Sequence, residues 1–173
     1  MPTLHAFANP ARFLKIARPL TPVLFWLGVV LVAIGCWAGL TQTPPDYLQG
    51  ESVRILYIHV PSAWMSLFVY LFVAANAFVA LVWRIRISEI LAMAAVPIGA
   101  MFTAVTLATG SLWGRPTWGT YWEWDARLTS ELVLLFLYFG VLALFHVLQP
   151  DGARRNSEWT RARLVGADAA PIQ

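Results

Sequence analysis

Four long apolar stretches, parted by short polar segments, organise this chain. They occupy residues 22–40, 60–83, 90–110 and 128–148. Each approaches or exceeds the roughly 20 helical residues needed to cross a hydrocarbon core. Prolines punctuate them. Pro44 and Pro45 forbid helical continuation after the first stretch. Pro61 falls in the first turn of the second, where its missing N–H does no harm. Pro97 predicts a kink in the third, and Pro150 stops the fourth. The pattern predicts an all-α, polytopic membrane helical bundle with four transmembrane helices. Residues 1–148 would form one membrane domain, and 149–173 a polar, disordered tail on the cytoplasmic side.

The first stretch follows Lys15 and Arg18, as the core of a signal peptide would. It is longer than such a core, and no small-x-small cleavage site follows it. Ile34-Gly35-Cys36 loosely matches a lipoprotein site, but Ala33 stands where a larger aliphatic residue is usual. An uncleaved span is expected. Orientation then follows from the basic residues. With the N-terminus inside, Arg12, Lys15, Arg18, Arg84, Arg86, Arg154, Arg155, Arg161 and Arg163 all lie inside, against Arg54, Arg115 and Arg127 outside. Both termini are therefore expected to be cytoplasmic, with 41–59 and 111–127 facing out.

Composition agrees with the pattern. The chain of 173 residues is 59% hydrophobic and 12% charged, with a mean hydropathy of +0.64. A soluble domain carries about 25% charged residues. Cys36 is the single cysteine, so no internal disulfide forms. Without a Cys-x-x-Cys-His motif the chain does not itself attach heme covalently. The absence of a Gly-x-x-x-x-Gly-Lys-Ser/Thr loop excludes an ATPase subunit. The net charge of +3 is small, and the basic residues sit at helix ends, which reflects topology rather than nucleic-acid binding.

Small and hydroxyl residues recur at helical spacing: Ser62, Ser66, Val73 and Ala77 in the second span, and Gly99, Thr103, Thr106 and Gly110 in the third. Close helix packing in lipid requires such faces, so these positions are assigned to packing and not to a ligand.

The nine tryptophans change the picture. Trp113, Trp118, Trp122 and Trp124 fall within twelve positions. An interfacial aromatic belt needs only one or two rings per helix end. With Gly114, Pro116 and Gly119 between the indoles, 111–127 reads as a shaped external loop rather than a helix. It would offer a flat apolar surface to a large planar ligand, with Arg115 and Arg127 neutralising acidic groups on it. For each arginine alone, an ordinary juxtamembrane charge is an equal reading. Asp125 and Glu131 lie near the outer end of the fourth helix, where the helix dipole favours carboxylates. The segment RILYIHVPSAW, 54–64, places His59 at the outer mouth of the second helix, on the side of the tryptophan loop. Neutral imidazole is an axial ligand for heme iron. His5 and His146 fall on the opposite side, so His59 is the one imidazole available.

WGRPTWGTYWEWDARLTS resembles the tryptophan-rich WWD signature of heme-handling membrane proteins in cytochrome c biogenesis. Together with RILYIHVPSAWMS and GSLWG, it is similar to the heme exporter protein C family of the cytochrome c maturation system, over about 12–146. The resemblance implies that heme b, held without covalent attachment, is bound at the outer face of the bacterial inner membrane and passed to a periplasmic heme chaperone. It implies His59 as axial ligand to the iron, and Trp113, Trp118, Trp122, Trp124 and Asp125 as the signature platform. It also implies partnership with an ABC-type ATPase and the membrane subunits of a maturation complex. The family has six spans and a second external histidine between the last two. Here the segment after 148 is polar, so four spans and a single axial histidine are expected, as in a truncated or short form. The expected role is binding and transfer, without enzymatic activity. A heme lyase-like cytochrome c synthase component is one alternative. A structural subunit whose tryptophans only anchor an assembly is another.

Overall fold

The computed structural model describes residues 10–148. His5 and the tail predicted over 149–173 lie outside them. Four helices follow one another: α1 (Pro10–Trp37), α2 (Val53–Trp83), α3 (Arg86–Trp118) and α4 (Ala126–Leu148). A π-helical turn, Ala38–Gln42, extends α1 toward the two prolines. All four helices are long and apolar enough to cross a membrane. The chain is thus a multi-pass, all-helical membrane protein. Among the described residues, extended pairing is confined to one isolated bridge, Asp46 to Gly50.

The helices outrun the apolar stretches that announced them. α2 starts at Val53, so Pro61 lies in its interior rather than its first turn, and its ring removes the hydrogen bond to the Tyr57 carbonyl. α3 is continuous past Pro97 and through Gly114 and Pro116. This corrects the loop expected over 111–127: residues 111–118 are helix, and the irregular segment is only 119–125. Two physical reasons account for the difference. Gly114 is buried, so packing offsets the roughly 1 kcal/mol a mid-helix glycine costs. Pro116 comes so near the end that one interior hydrogen bond is lost. The stop is Gly119, at φ +80°, whose N–H donates to the Arg115 carbonyl at 2.9 Å. That left-handed conformation is one only glycine takes readily.

α2 and α3 form the packed centre. Arg84, at φ 53°, caps α2 in the left-handed conformation, and α3 begins two residues later. The antiparallel pair meets through Ser62, Ser66 and Val69 on α2 and a longer buried row on α3, which includes Ala92, Val96, Gly99, Thr103, Thr106 and Gly110. Side chains this small let backbones approach where no water competes and packing supplies the attraction. The expected stripe holds on α3. On α2 it runs through Val69, while Ala77 is exposed. α4 adds buried Leu128 and Tyr138, the Tyr138 ring lying against Gly99. Of the described residues, 10–138 belong to one packed unit and 139–148 to a second. In the latter, Phe145 and His146 meet edge to face.

Candidate functional site: a histidine and indole cleft

A cleft of about 330 Å³ opens between α2, α3 and the start of α4. His59, Ala63 and Leu67 of α2 line it, with Thr106, Leu107, Gly110, Trp113 and Trp118 of α3. Asp125, Arg127, Leu128, Ser130 and Glu131 complete the wall. Helical periodicity explains the first set: 59, 63 and 67 are spaced by one turn, as are 106 and 110, so each helix turns one face inward.

His59 is half-buried, and its Nδ1 lies 3.0 Å from Thr109 Oγ1 on α3. A Cβ at Gly110 would stand 3.1 Å from His59 Cε1, so glycine is what allows the imidazole to lie this close to α3.

The tryptophans divide into two pairs. Trp113 and Trp118 line the cleft and meet edge to face, with centroids 5.5 Å apart and planes at 86°. Gly114 permits this: a Cβ there would be 3.0 Å from Trp118 Cε3. Trp113 Nε1 donates to Gln49 Oε1 at 3.1 Å, tying the connector between α1 and α2 to the end of α3. Those two segments therefore occupy one end of the molecule. Trp122 and Trp124 form the second pair, also edge to face, 5.3 Å apart. They are not part of the cleft lining. Edge-to-face contact follows from the ring quadrupoles, and it replaces the expected flat wall by one indole face and one indole edge.

Asp125 caps α4. Its Oδ1 accepts from the Leu128 N–H at 2.8 Å, and Oδ2 accepts from Arg127 Nε at 2.9 Å. The Leu128 amide, above all, holds the carboxyl below the usual carboxylate range; the Arg127 guanidinium adds to this, and burial opposes it. Arg127 is thereby fixed over the Trp118 ring, 5.5 Å from its centroid. Arg115 points elsewhere: it donates to Tyr121 OH at 2.7 Å and lies 4.7 Å over that ring.

The structure thus gathers His59, Trp113, Trp118, Asp125 and Arg127 around one cleft, and leaves Arg115, Trp122 and Trp124 off its walls. It also adds residues that the sequence reading did not assign to a site. Thr106 and Gly110 line the cleft as well as packing the helices. Thr109 holds the imidazole, and Gln49 holds Trp113. Glu131 lines the wall with Oε1 buried and unpartnered. The signal for Glu131 was present: an acidic residue inside a membrane span is costly and points to function.

Four membrane-crossing helices with an imidazole, an indole pair and a braced arginine around one cleft define a polytopic membrane protein with an aromatic, charged recess. A family model described as heme exporter protein C matches residues 3–172. The chain belongs to that family. It is 47% identical over 170 residues to heme exporter protein C of Bradyrhizobium diazoefficiens, covering 98% of this chain and 64% of the relative. To heme exporter protein C of Escherichia coli strain K12 it is 50% identical over 144 residues, covering 83% and 59%. A putative cytochrome c biosynthesis ccmC-like mitochondrial protein of Marchantia polymorpha is 39% identical over 142 residues, covering 82% and 60%. The chain spans less than two thirds of the length of these relatives.

Proposed function

We propose that this chain binds heme b non-covalently at the periplasmic face of the bacterial inner membrane and hands it to a periplasmic heme chaperone. This would be a step of heme export for c-type cytochrome biogenesis. What carries the reading is the convergence of His59 with Trp113 and Trp118 on one cleft, from positions more than fifty residues apart along the chain. The names of the relatives, which speak of heme export and cytochrome c biosynthesis, point the same way. The excess of basic residues expected on the opposite side of the membrane supports an outward-facing cleft.

The residues present fit such a cargo. Neutral imidazole offers a nitrogen lone pair to iron. Ala63, Leu67, Leu107 and Leu128 give apolar cover to a porphyrin, and the indoles offer ring contacts. Arg127, braced by Asp125, keeps N–H groups free for a propionate, since a guanidinium carries five. Arg115, Trp122 and Trp124 lie outside the cleft lining and would contact the cargo or its acceptor during transfer. No bond within heme breaks in this scheme, so the chain acts as a binding and transfer protein and not as an enzyme. Delivery requires an acceptor, which is the chaperone. An ABC-type ATPase and its membrane subunits are the expected assembly partners.

Supplying hemin to the detergent-purified chain is expected to produce a Soret band that His59→Ala removes or shifts. A wild-type chain that stays colourless would favour a purely structural role for the tryptophans. Holocytochrome formation from apocytochrome without partners would favour a lyase.

A further inference from the structure

The imidazole of His59 is not left to choose its own tautomer. Thr109 Oγ1 has one hydrogen and three close neighbours. It lies 2.7 Å from the Val105 carbonyl and 3.2 Å from the Thr106 carbonyl. Both are acceptors only, so the hydroxyl hydrogen is committed to its own helix. What the hydroxyl turns to His59 is therefore a lone pair. With Nδ1 at 3.0 Å from that oxygen, the arrangement favours a proton on Nδ1. A neutral imidazole carries a single N–H, so Nε2 holds the free lone pair. Among the described residues Nε2 has no hydrogen-bond partner.

We infer that Thr109 is a positioning residue that presets His59 in the Nδ1–H tautomer and keeps Nε2 open for an iron ligand. The inference rests on the reading of His59 as the heme ligand. Metal-bound histidines commonly donate their second N–H to a fixed acceptor, which sets both tautomer and ring orientation. Here the acceptor is a threonine hydroxyl that is itself donating to Val105, and such a chain strengthens each member. The missing side chain at Gly110 leaves the room in which the ring lies close to α3. Rotation of the imidazole is thus opposed by a hydrogen bond to the residue next to that glycine on α3.

The test uses the full chain in detergent, with Thr109→Val, which keeps the shape and removes the hydroxyl, and Thr109→Ser, which restores it. Nitrogen-15 NMR of labelled histidine, recorded without heme, should report an unprotonated Nε2 in wild type and in Thr109→Ser. Thr109→Val should show mixed tautomers and a hemin affinity about 10–100-fold weaker, the usual cost of losing such an outer contact. Thr109→Ser should remain close to wild type, with circular dichroism unchanged in all three. A wild-type ring protonated at Nε2, or Thr109→Val with unchanged tautomer and affinity, overturns the inference. His59→Ala separates the two readings. Undiminished hemin binding by that variant removes the ligand assignment, whereas its loss beside an unaffected Thr109→Val removes only the role of Thr109.

Discussion

The two indole pairs share chemistry, geometry and neighbourhood, yet they occupy different situations. Trp113 and Trp118 sit on the last turns of α3, half-buried, one tied to Gln49 and the other under Arg127. Trp122 and Trp124 sit on the irregular segment before α4, with Trp124 77% exposed and Trp122 Nε1 buried without a partner. Helix and cross-links fix the inner pair before any ligand arrives. The outer pair is held by its own contact and by a short turn in which the Trp122 N–H donates to Thr120 Oγ1 at 3.3 Å. Density of tryptophan in a sequence therefore does not equal one platform. Preorganisation divides the four rings into a pair that shapes the cleft and a pair outside its lining.

The ranking of the pairs can be broken by mutation. The double variant Trp113→Ala/Trp118→Ala is expected to weaken hemin affinity most, by roughly 2–3 kcal/mol or about 100-fold, in a Soret titration. Gly114→Leu tests the same pair without removing a ring. Its side chain must displace Trp118, and a loss of about tenfold is expected, consistent with one aromatic contact. Trp122→Ala/Trp124→Ala should change affinity by less than about threefold, because these rings leave the cleft lining intact. A larger loss from the outer pair than from the inner would invert the ranking.

The smallest effect concerns pH. The folded carboxyl of Asp125 titrates below its ordinary value of 3.8, so the cap is complete above that value and is lost only as pH falls through the lowered one. The Leu128 amide resonance should follow that midpoint and show no dependence on pH between 5 and 7. Asp125→Asn should abolish the titration. A midpoint above 3.8 would show that the capping contact does not persist in solution.

Most of the fold was legible because lipid imposes a coarse rule: a long apolar run is a span. Helix ends were less so. The first two turns of α2 carry Arg54 and His59, and the last turns of α3 carry Gly114, Arg115 and Pro116. Such residues read as a loop when judged locally, while packing keeps them helical. Of the site, His59, Trp113 and Trp118 stood out by residue type. Thr109 did not, because a hydroxyl bonded to its own helix reads as packing. Its partner on the other helix lies fifty positions away along the chain. Gln49 was hidden for the same reason, being 64 positions from Trp113. Contacts of that range belong to tertiary structure and leave no periodicity behind.

The arginine at the bend between α2 and α3 bears on how the protein enters the bilayer. A left-handed backbone costs a non-glycine residue about 1–2 kcal/mol, and Arg84 adopts it at φ 53°. With only Arg84 and Ile85 between the helices, the two cannot insert far apart and search for each other later. The short bend holds them side by side as a hairpin, with cationic Arg84 and Arg86 at its turn. The serine and threonine rows face one another across that hairpin, and His59 reaches Thr109 through these two helices alone.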